Sequence, residues 1–278
     1  MPKDPHVILN IIILHIPLPS LILISVPVLV WDKKLFSLVL VAWVIFGLSY
    51  GFFSFVGHKL GWEKKLIGCL ILTAGLGNTA FVGFPVIESL YGAEALKYAI
   101  LIDQPGTFLI CSSLGLWLVT HFSQENLRKR ELALRILAFP PFVAFTLSVL
   151  LIFLNMRPSG MTENILQHLA SLLAPLALIS VGLQLKAKEI QHDWKYLSWG
   201  LGFKLIIAPI FIFCIYSLLD IPRDIFEIVV MEAAMAPMIT SAILAATYGL
   251  HPRLAGLMIG VGVPLSFLSL SAWYFLLQ

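Results

Sequence analysis

Long apolar runs constrain this chain more than any other feature of its sequence. Nine windows of about 20 or more mostly apolar residues, each long enough to cross a bilayer as a helix, follow one another with short connections. They cover residues 6–31, 35–59, 65–91, 95–121, 131–155, 161–185, 195–219, 224–249 and 253–277. The sequence therefore predicts an all-α polytopic membrane protein of about nine transmembrane helices, with no room for a soluble domain.

Composition excludes the soluble classes of protein. Hydrophobic residues make up 59% of the 278 residues and charged residues only 12%, about half the share in a soluble domain. A soluble fold of this size needs more polar surface than that. The formal net charge of +3 is small and scattered, so the lipid bilayer is an expected partner and nucleic acid is not. No cofactor or metal site is expected, because the cysteines show no metal-ligand spacing.

Basic residues predict the orientation, because cytoplasmic loops are enriched in Lys and Arg. One side collects twelve of them: Lys3, Lys59, Lys64, Lys65, Arg128, Lys129, Arg130, Arg135, Lys186, Lys188, Lys195 and Arg253. The opposite side collects five: Lys33, Lys34, Lys97, Arg157 and Arg223. We therefore expect a multi-pass protein of the plasma (cell inner) membrane, with a cytoplasmic N-terminus and, after nine crossings, an external C-terminus.

Two short matches indicate an internal repeat. Residues 21–26 (Leu-Ile-Leu-Ile-Ser-Val) recur at 176–181 (Leu-Ala-Leu-Ile-Ser-Val), an offset of 155, and Tyr91-Gly92 recurs as Tyr248-Gly249, an offset of 157. Both offsets correspond to five spans. An odd number of spans inserts the two halves from opposite sides of the membrane, as in the inverted repeats of secondary transporters.

The repeat also predicts the domain organisation. The window at 131–155 has no counterpart before residue 1, so the first repeat, over residues 1–121, is expected to have four helices and to lack its first. Residues 122–130 form the expected cytoplasmic linker, and residues 131–278 form a second repeat of five helices. The sequence leaves open whether the missing helix is natural or the start is truncated.

The third and eighth windows each contain residues that interrupt a helix. The third has Asn78 with glycines on either side and Pro85 after it, and the eighth has Pro237. A proline inside a helix is unfavourable by about 3 kcal/mol, and irregular backbone at this depth persists only beside protein or a water-filled cavity. Two breaks at corresponding places predict two crossed, broken helices with a substrate site at the midplane. Aligning the Tyr-Gly pairs places Pro237 opposite Ala80.

Each break exposes the N-terminus of a half-helix, whose free amides carry about half a positive charge. Two such ends can hold a carboxylate together. The expected substrate-binding residues are Asn78, Thr79, Gly83 and Pro85 in the first half, and Pro237, Thr240 and Ser241 in the second. For either helix alone, the simpler interpretation is that its Gly and Pro residues only pack or kink it.

These residues carry a resemblance to a known family. Residues 78–85 (Asn-Thr-Ala-Phe-Val-Gly-Phe-Pro), followed by Leu90-Tyr91-Gly92, resemble the signature of the auxin efflux carriers. Further segments resemble that family in the same order: Ala174 to Leu178 with Gly182, Lys204 to Pro209, and Ala234 to Pro237 followed by Tyr248-Gly249. The resemblance spans nearly the whole chain.

The resemblance implies ten helices in two inverted five-helix repeats, with the fourth and ninth helices broken and crossed. Here these correspond to the third and eighth windows, and the first family helix is absent. It further implies transport of small organic anions, such as auxin or dicarboxylates, by alternating access. The substrate would lie at the crossing, beside Asn78 and Pro237, and the protein would form a homodimer through a scaffold domain.

Four polar residues inside the windows are candidates for ion coupling or charge pairing: Asp103, Gln104, Lys204 and Glu232. A lone charge at the bilayer centre is unfavourable by about 2.5–3.5 kcal/mol, so each must be paired, protonated or in contact with water. Asp103 is interpreted either as a coupling site or as a structural partner. Lys204 is interpreted as an ion-pair partner, a cap for exposed carbonyls or a substrate attractant. Glu232 would suit proton coupling, and the coupling ion, proton or sodium, stays open.

Rival functions make different demands on the sequence. A sodium-coupled symporter of the bile-acid type needs oxygen ligands beside the crossing, which Gln104 and Thr240 can offer. A sodium/proton antiporter needs a carboxylate at the crossing, and residues 77–85 and 234–241 contain none. An intramembrane metalloprotease needs His-Glu-x-x-His, which is absent from the sequence. A membrane receptor or a passive channel is the remaining alternative.

Overall fold

Helices make up most of the described chain, as the apolar windows predict. A computed structural model describes residues 5–27, 33–123, 140–173, 175, 176, 179 and 193–278. In chain order the helices are α1 (Pro5–His15), α2 (Pro17–Ser25), α3 (Lys33–Lys59), α4 (Lys64–Gly75), α5 (Thr79–Tyr91), α6 (Ala93–Ser123), α7 (Pro140–Phe153), α8 (Met161–Ser171), α9 (Trp194–Tyr216), α10 (Arg223–Ala233), α11 (Ile239–Thr247) and α12 (Pro252–Leu277). The predicted all-α fold is confirmed for these residues.

Four of these helices are continuous, apolar and long enough to cross a membrane. They are the 24 residues Phe36–Lys59 of α3 and the 31, 23 and 26 residues of α6, α9 and α12. Shorter apolar helical segments come from α1 with α2, from α5 and from α7. Parts of the fifth and sixth windows, and the linker from residue 124 onward, lie outside the described residues. The count of nine spans therefore stays a prediction.

Both interrupted windows are broken where the sequence predicts it. Helix α4 ends at Gly75 and α5 begins at Thr79, while α10 ends at Ala233 and α11 begins at Ile239. The two breaks meet in an antiparallel bridge between Gly77 and Pro237. We call residues 76–78 and 236–238 together the crossing.

Backbone hydrogen bonds hold the crossing together. They run from Asn78 N to Ala236 O at 2.7 Å and from Met238 N to Leu76 O at 2.9 Å. The two bonds are symmetric about the Gly77–Pro237 pair, as expected for two segments that enter from opposite sides. Backbone groups that would be unpaired in hydrocarbon are thereby satisfied, which is what allows two broken helices at this depth.

The register of the crossing differs from the sequence alignment. The Tyr-Gly pairs place Pro237 opposite Ala80, but the structure places it opposite Gly77. The half-helix that follows the first break runs from residue 79 to 91, whereas its counterpart runs only from 239 to 247. Because the halves differ in length, an alignment anchored at their far ends is three residues out of register at the break.

π-helical turns, which are wider than α-helical ones, place two of the ionisable residues. In α6 such a turn covers Asp103–Phe108 and contains Pro105, and in α9 a second one contains Lys204 and is followed by Pro209. Proline cannot donate to the carbonyl four residues earlier, and wider turns commonly accommodate such a lost bond. The carbonyl of Pro105 itself accepts a hydrogen bond from Trp43 Nε1 in α3 at 3.0 Å, which joins this turn to α3.

Helices pack around the crossing in two groups. Helix α2 packs against α7 and α8, and α1 packs against α2 and α7. Helices α3, α4, α6, α9, α10, α11 and α12 pack mainly against one another and hold the two breaks. The crossing therefore faces α1 and α2 across a boundary between the two groups.

Close packing of α12 against the crossing leads to a stability prediction. A Cβ atom added at Gly262 would lie 2.8 Å from Leu201 Cδ2 and 2.9 Å from Pro237 Cδ. A Cβ atom added at Gly256, on the same helix, would point into open space. We expect Gly262→Ala to lower the free energy of unfolding by about 1–3 kcal/mol. Gly256→Ala should raise it by about 0.5–1 kcal/mol. Thermal unfolding of both purified variants in one detergent measures the difference, and equal melting temperatures would contradict the packing described here.

Candidate functional site

A small cavity lies at the crossing and brings together part of the predicted site. Its volume is about 20 Å³, enough for one water molecule. Polar and small lining residues come from both breaks and from α6: Gly77, Asn78, Thr79, Ala80, Asp103, Gln104 and Thr240. Its large apolar lining residues are Leu14, Leu18, Phe81, Phe108 and Met238. The cavity thus lies on the boundary between the two groups of helices.

Asn78 is both the N-cap of α5 and an unpaired donor. Its Oδ1 atom accepts a hydrogen bond from Phe81 N at 3.2 Å, which fixes the orientation of the amide. The Nδ2 atom then has no hydrogen-bond partner, although the side chain is only 1% exposed. A buried amide donor without an acceptor is unfavourable by about 1–3 kcal/mol. The position therefore suits a ligand that brings an acceptor.

Asp103 lies on α6 and is hydrogen-bonded through both oxygens. Thr79 Oγ1 donates to Asp103 Oδ1, and Gln104 Nε2 donates to Oδ2 at 2.5 Å. This orientation leaves Gln104 Oε1 buried without a donor. The cavity therefore has an unpaired donor in Asn78 and, on a residue that also lines it, an unpaired acceptor in Gln104.

The second break contributes its backbone and Thr240. The first intrahelical bond of α11 is from Ala242 N to Met238 O at 3.2 Å, so the amides of residues 239–241 have no carbonyl within their own helix. Thr240 lines the cavity, but Ser241 is not among its lining residues. The Ser241 hydroxyl donates to Met238 O at 2.8 Å. Pro237 belongs to the crossing through its bridge with Gly77.

Gly83 of α5 and Glu232 of α10 lie next to each other, outside the cavity. Glu232 lies near the end of α10 and is 1% exposed, and neither carboxyl oxygen has a hydrogen-bond partner. A Cβ atom at Gly83 would lie 2.8 Å from Glu232 Oε2 and 2.9 Å from Oε1. Gly83 therefore makes room for a buried carboxyl group and does not line the cavity.

Lys204 caps the end of a half-helix. Its side chain is fully buried, and Nζ donates to Ala233 O, at the C-terminus of α10, at 2.9 Å. A Cβ atom at Gly77 would lie 3.1 Å from this Nζ. Of the interpretations drawn from the sequence, capping of exposed carbonyls matches this geometry.

Pro85 lies away from the crossing. It stands in the first turn of the regular part of α5 and lines a separate cleft of about 280 Å³, which also contacts α2 and α8. The seven predicted substrate-binding residues thus divide into those that line the cavity (Asn78, Thr79, Thr240), Pro237 in the crossing itself, and Gly83, Pro85 and Ser241 outside the cavity.

Sequence reasoning missed the apolar part of the lining. Leu14 and Leu18 come from the α1–α2 segment, and Phe108 comes from α6. Leu and Phe are so frequent in apolar windows that no local pattern distinguishes these positions. Only Pro17, which starts α2 between the two leucines, marks this stretch as irregular.

A serine motif elsewhere in the chain is structural. Gly47-Leu48-Ser49-Tyr50-Gly51 has the Gly-x-Ser-x-Gly spacing of a hydrolase nucleophile elbow, which requires an exposed serine at a strand-to-helix turn. Ser49 instead lies inside the continuous helix α3, fully buried, and its hydroxyl donates to Ile71 O at 3.0 Å. This serine is not placed to act as a nucleophile. Within the described residues, no group of three or more His, Cys, Asp or Glu side chains is placed to bind a metal.

Comparison with known proteins assigns the family. A family model described as "Membrane transport protein" matches residues 1–274. The chain belongs to this family of membrane transport proteins. An uncharacterized transporter of Methanocaldococcus jannaschii is 28% identical over 288 residues, which cover 99% of this chain and 91% of the relative. A second uncharacterized transporter, from Methanothermobacter thermautotrophicus, is 30% identical over 271 residues, which cover 95% of this chain and 87% of the relative.

Family membership confirms the resemblance to the auxin efflux carriers. The protein is an integral membrane protein of a transporter family, so it acts on a substrate within a bilayer. Both relatives are named as transporters, which assigns the chain to transport and not to enzymatic catalysis.

Proposed function

We propose that the protein carries a small organic anion, a carboxylate, across the plasma (cell inner) membrane by alternating access, with the anion bound at the crossing. One observation carries this proposal: Asn78 Nδ2 is a buried donor without an acceptor, on a residue that lines the cavity at the crossing. A carboxylate oxygen would supply that acceptor. The resemblance to the auxin efflux carriers points to the same class of substrate and to a homodimer.

Electrostatics favours an anion over a neutral solute. The first residues of α5 and α11 line the same cavity, and each helix N-terminus carries about half a positive charge. Thr79 and Thr240 add hydroxyl groups from the two sides. Asp103 is a negative neighbour, but Thr79 and Gln104 already donate to its two oxygens, so its charge is partly compensated.

The size of the cavity supports a conformational cycle. About 20 Å³ holds a water molecule but no carboxylate, so an anion can enter only if the lining separates. The lining includes Leu14 and Leu18, which belong to the α1–α2 group, and the crossing, which belongs to the other group. Movement of one group against the other would open the cavity to either side in turn, as alternating access requires.

The positions of basic residues support the proposed orientation. Lys59 and Lys64 lie at the end of α3 and the start of α4. Arg253 Nε lies 3.4 Å from Asp193 Oδ2, which brings the starts of α9 and α12 together. We propose that this end faces the cytoplasm. Seven of the twelve basic residues that predict the cytoplasmic side lie outside the described part of the chain: Lys3, Arg128, Lys129, Arg130, Arg135, Lys186 and Lys188.

Solute counterflow tests the proposed function. Proteoliposomes preloaded with an unlabelled carboxylate should take up the same radiolabelled carboxylate in a saturable way, and other anions of a mono- and dicarboxylate panel should compete. Protein-free liposomes are the control. Exchange of neutral solutes without exchange of any carboxylate would contradict the proposal, and a receptor would show no exchange of either kind.

A sodium-coupled symporter of the bile-acid type is the second candidate. Gln104 Oε1 is a buried acceptor without a donor, next to the carboxylate of Asp103, and oxygen atoms of this kind are suitable ligands for a hard cation. The same proteoliposomes separate the two candidates. A symporter of this type should accumulate the anion only when an inward sodium gradient is imposed.

A further inference from the structure

Glu232 is the least compensated polar group among the described residues. It lies one residue before the end of α10, it is 1% exposed, and both of its carboxyl oxygens lack a hydrogen-bond partner. It is not among the residues that line the cavity at the crossing. Nothing in the proposed binding of an anion therefore uses this carboxyl group.

Few charged groups face Glu232. Helix α6 presents Asp103 and α9 presents Lys204, and both interact electrostatically with Glu232. Helix α5 presents Gly83, whose missing side chain leaves the space that the carboxyl group fills. Over the described part of the chain, no basic nitrogen lies within 4.0 Å of the Glu232 oxygens.

The charges around the crossing balance without Glu232. Asp103 accepts a hydrogen bond on each oxygen, as an ionised carboxylate does. Lys204 directs its ammonium group to Ala233 O, and the formal charges of Lys204 and an ionised Asp103 add up to zero. Lys204 also interacts electrostatically with Glu232, but it makes no hydrogen bond to the Glu232 carboxyl oxygens. An ionised Glu232 would leave one buried negative charge without a hydrogen bond, which is strongly unfavourable in a medium without water.

We propose that Glu232 is a proton-binding site and that the proton it carries is coupled to transport. In the conformation described here the carboxyl group is protonated and neutral. When the crossing opens to water, its O–H bond breaks, the proton passes to a water molecule, and the carboxylate that remains is hydrated.

The coupling follows from charge and rests on the proposed function. An anion bound at the crossing places a negative charge near Glu232, so it favours the protonated form of this residue. By reciprocity, a protonated Glu232 favours the bound anion. The proton and the anion therefore bind and move together, and the affinity for the anion rises as the pH falls.

Infrared spectroscopy tests the proton site without any substrate. The purified protein should show a C=O band of a protonated, hydrogen-bond-free carboxylic acid that shifts in D₂O, and Glu232→Gln should remove it. Glu227→Gln is the matched control, because Glu227 lies on the same helix but is paired with Arg223 at 2.9 Å; it should keep the band. Should Glu232→Gln fail to fold, wild-type protein labelled with ¹³C in its glutamate carboxyl groups decides. A band that moves to lower frequency with the label supports Glu232, and a band that does not move overturns the proposal.

Transport under a pH gradient tests the coupling. Wild-type proteoliposomes, more acidic outside, should accumulate a carboxylate about tenfold for each pH unit imposed, because one proton moving down a tenfold gradient drives one anion up an equal one. Glu232→Gln should still exchange the anion in counterflow but lose this accumulation. Accumulation by Glu232→Gln equal to that of the wild type, or accumulation driven only by sodium, would overturn the coupling. Absence of carboxylate counterflow in the wild type would instead overturn the proposed function and leave the infrared result standing.

Discussion

An Asn78→Ala variant should exchange carboxylates about 10- to 100-fold more slowly than the wild type, because a hydrogen bond to a charged group contributes about 1.5–3 kcal/mol and each 1.4 kcal/mol is a factor of ten. Asn78 Nδ2 is the buried donor at the crossing that has no partner of its own. Counterflow in proteoliposomes measures the loss. The amount of variant recovered in the membrane fraction shows whether insertion is retained.

Alanine also removes the N-cap of α5, so a second variant is needed to separate the two roles. Asn78→Asp keeps an oxygen that can accept from Phe81 N, as Oδ1 does in the wild type, but it has no amide donor. We expect Asn78→Ala to lower the free energy of unfolding by about 1 kcal/mol and Asn78→Asp to lower it less. Both should lose exchange. Wild-type exchange by Asn78→Asp would show that the donor does not contact the substrate.

The broken helices could be predicted because their cause is local. Asn, Gly and Pro in an otherwise apolar window interrupt the series of backbone hydrogen bonds of a helix whatever surrounds them. Both helix breaks occur where these residues lie. Pairing of the two breaks across Gly77 and Pro237 depends on half-helix lengths. Those lengths are not visible in an alignment of two Tyr-Gly pairs.

Side-chain direction is the part of the site that the sequence could not supply. Ser241 follows Thr240 directly, yet its hydroxyl bonds back to Met238 O while Thr240 lines the cavity. Short hydroxyl side chains often bond to their own backbone, and neighbouring residues give no warning of it. The sequence likewise predicts that Gly83 binds substrate, but in the structure its role is to make room for Glu232, a residue far away in the sequence.

A Lys204→Met variant should be less stable than the wild type by about 1–3 kcal/mol. Lys204 Nζ is the donor that reaches Ala233 O, one of the last four carbonyls of α10, which have no partner within their own helix. Methionine keeps much of the length and apolar volume of lysine but cannot donate. Because no bulk water is available at this depth, the carbonyl would stay unpaired. Thermal unfolding in detergent measures the loss.

Lys195→Met is the matched control, because Lys195 lies on the same helix but its side chain is exposed. It should melt with the wild type, and equal melting temperatures for the two methionine variants would show that the Lys204 bond contributes nothing to stability.

Combining Lys204→Met with Glu232→Gln tests whether the Lys204 ammonium group also stabilises an ionised Glu232, through the coupling energy of the two substitutions in the free energy of unfolding. If Glu232 is neutral, the two substitutions should be additive to within about 0.5 kcal/mol, whereas an ionised Glu232 would give a larger coupling energy. A large coupling would mean that Lys204 stabilises a carboxylate in α10 in addition to capping the end of that helix.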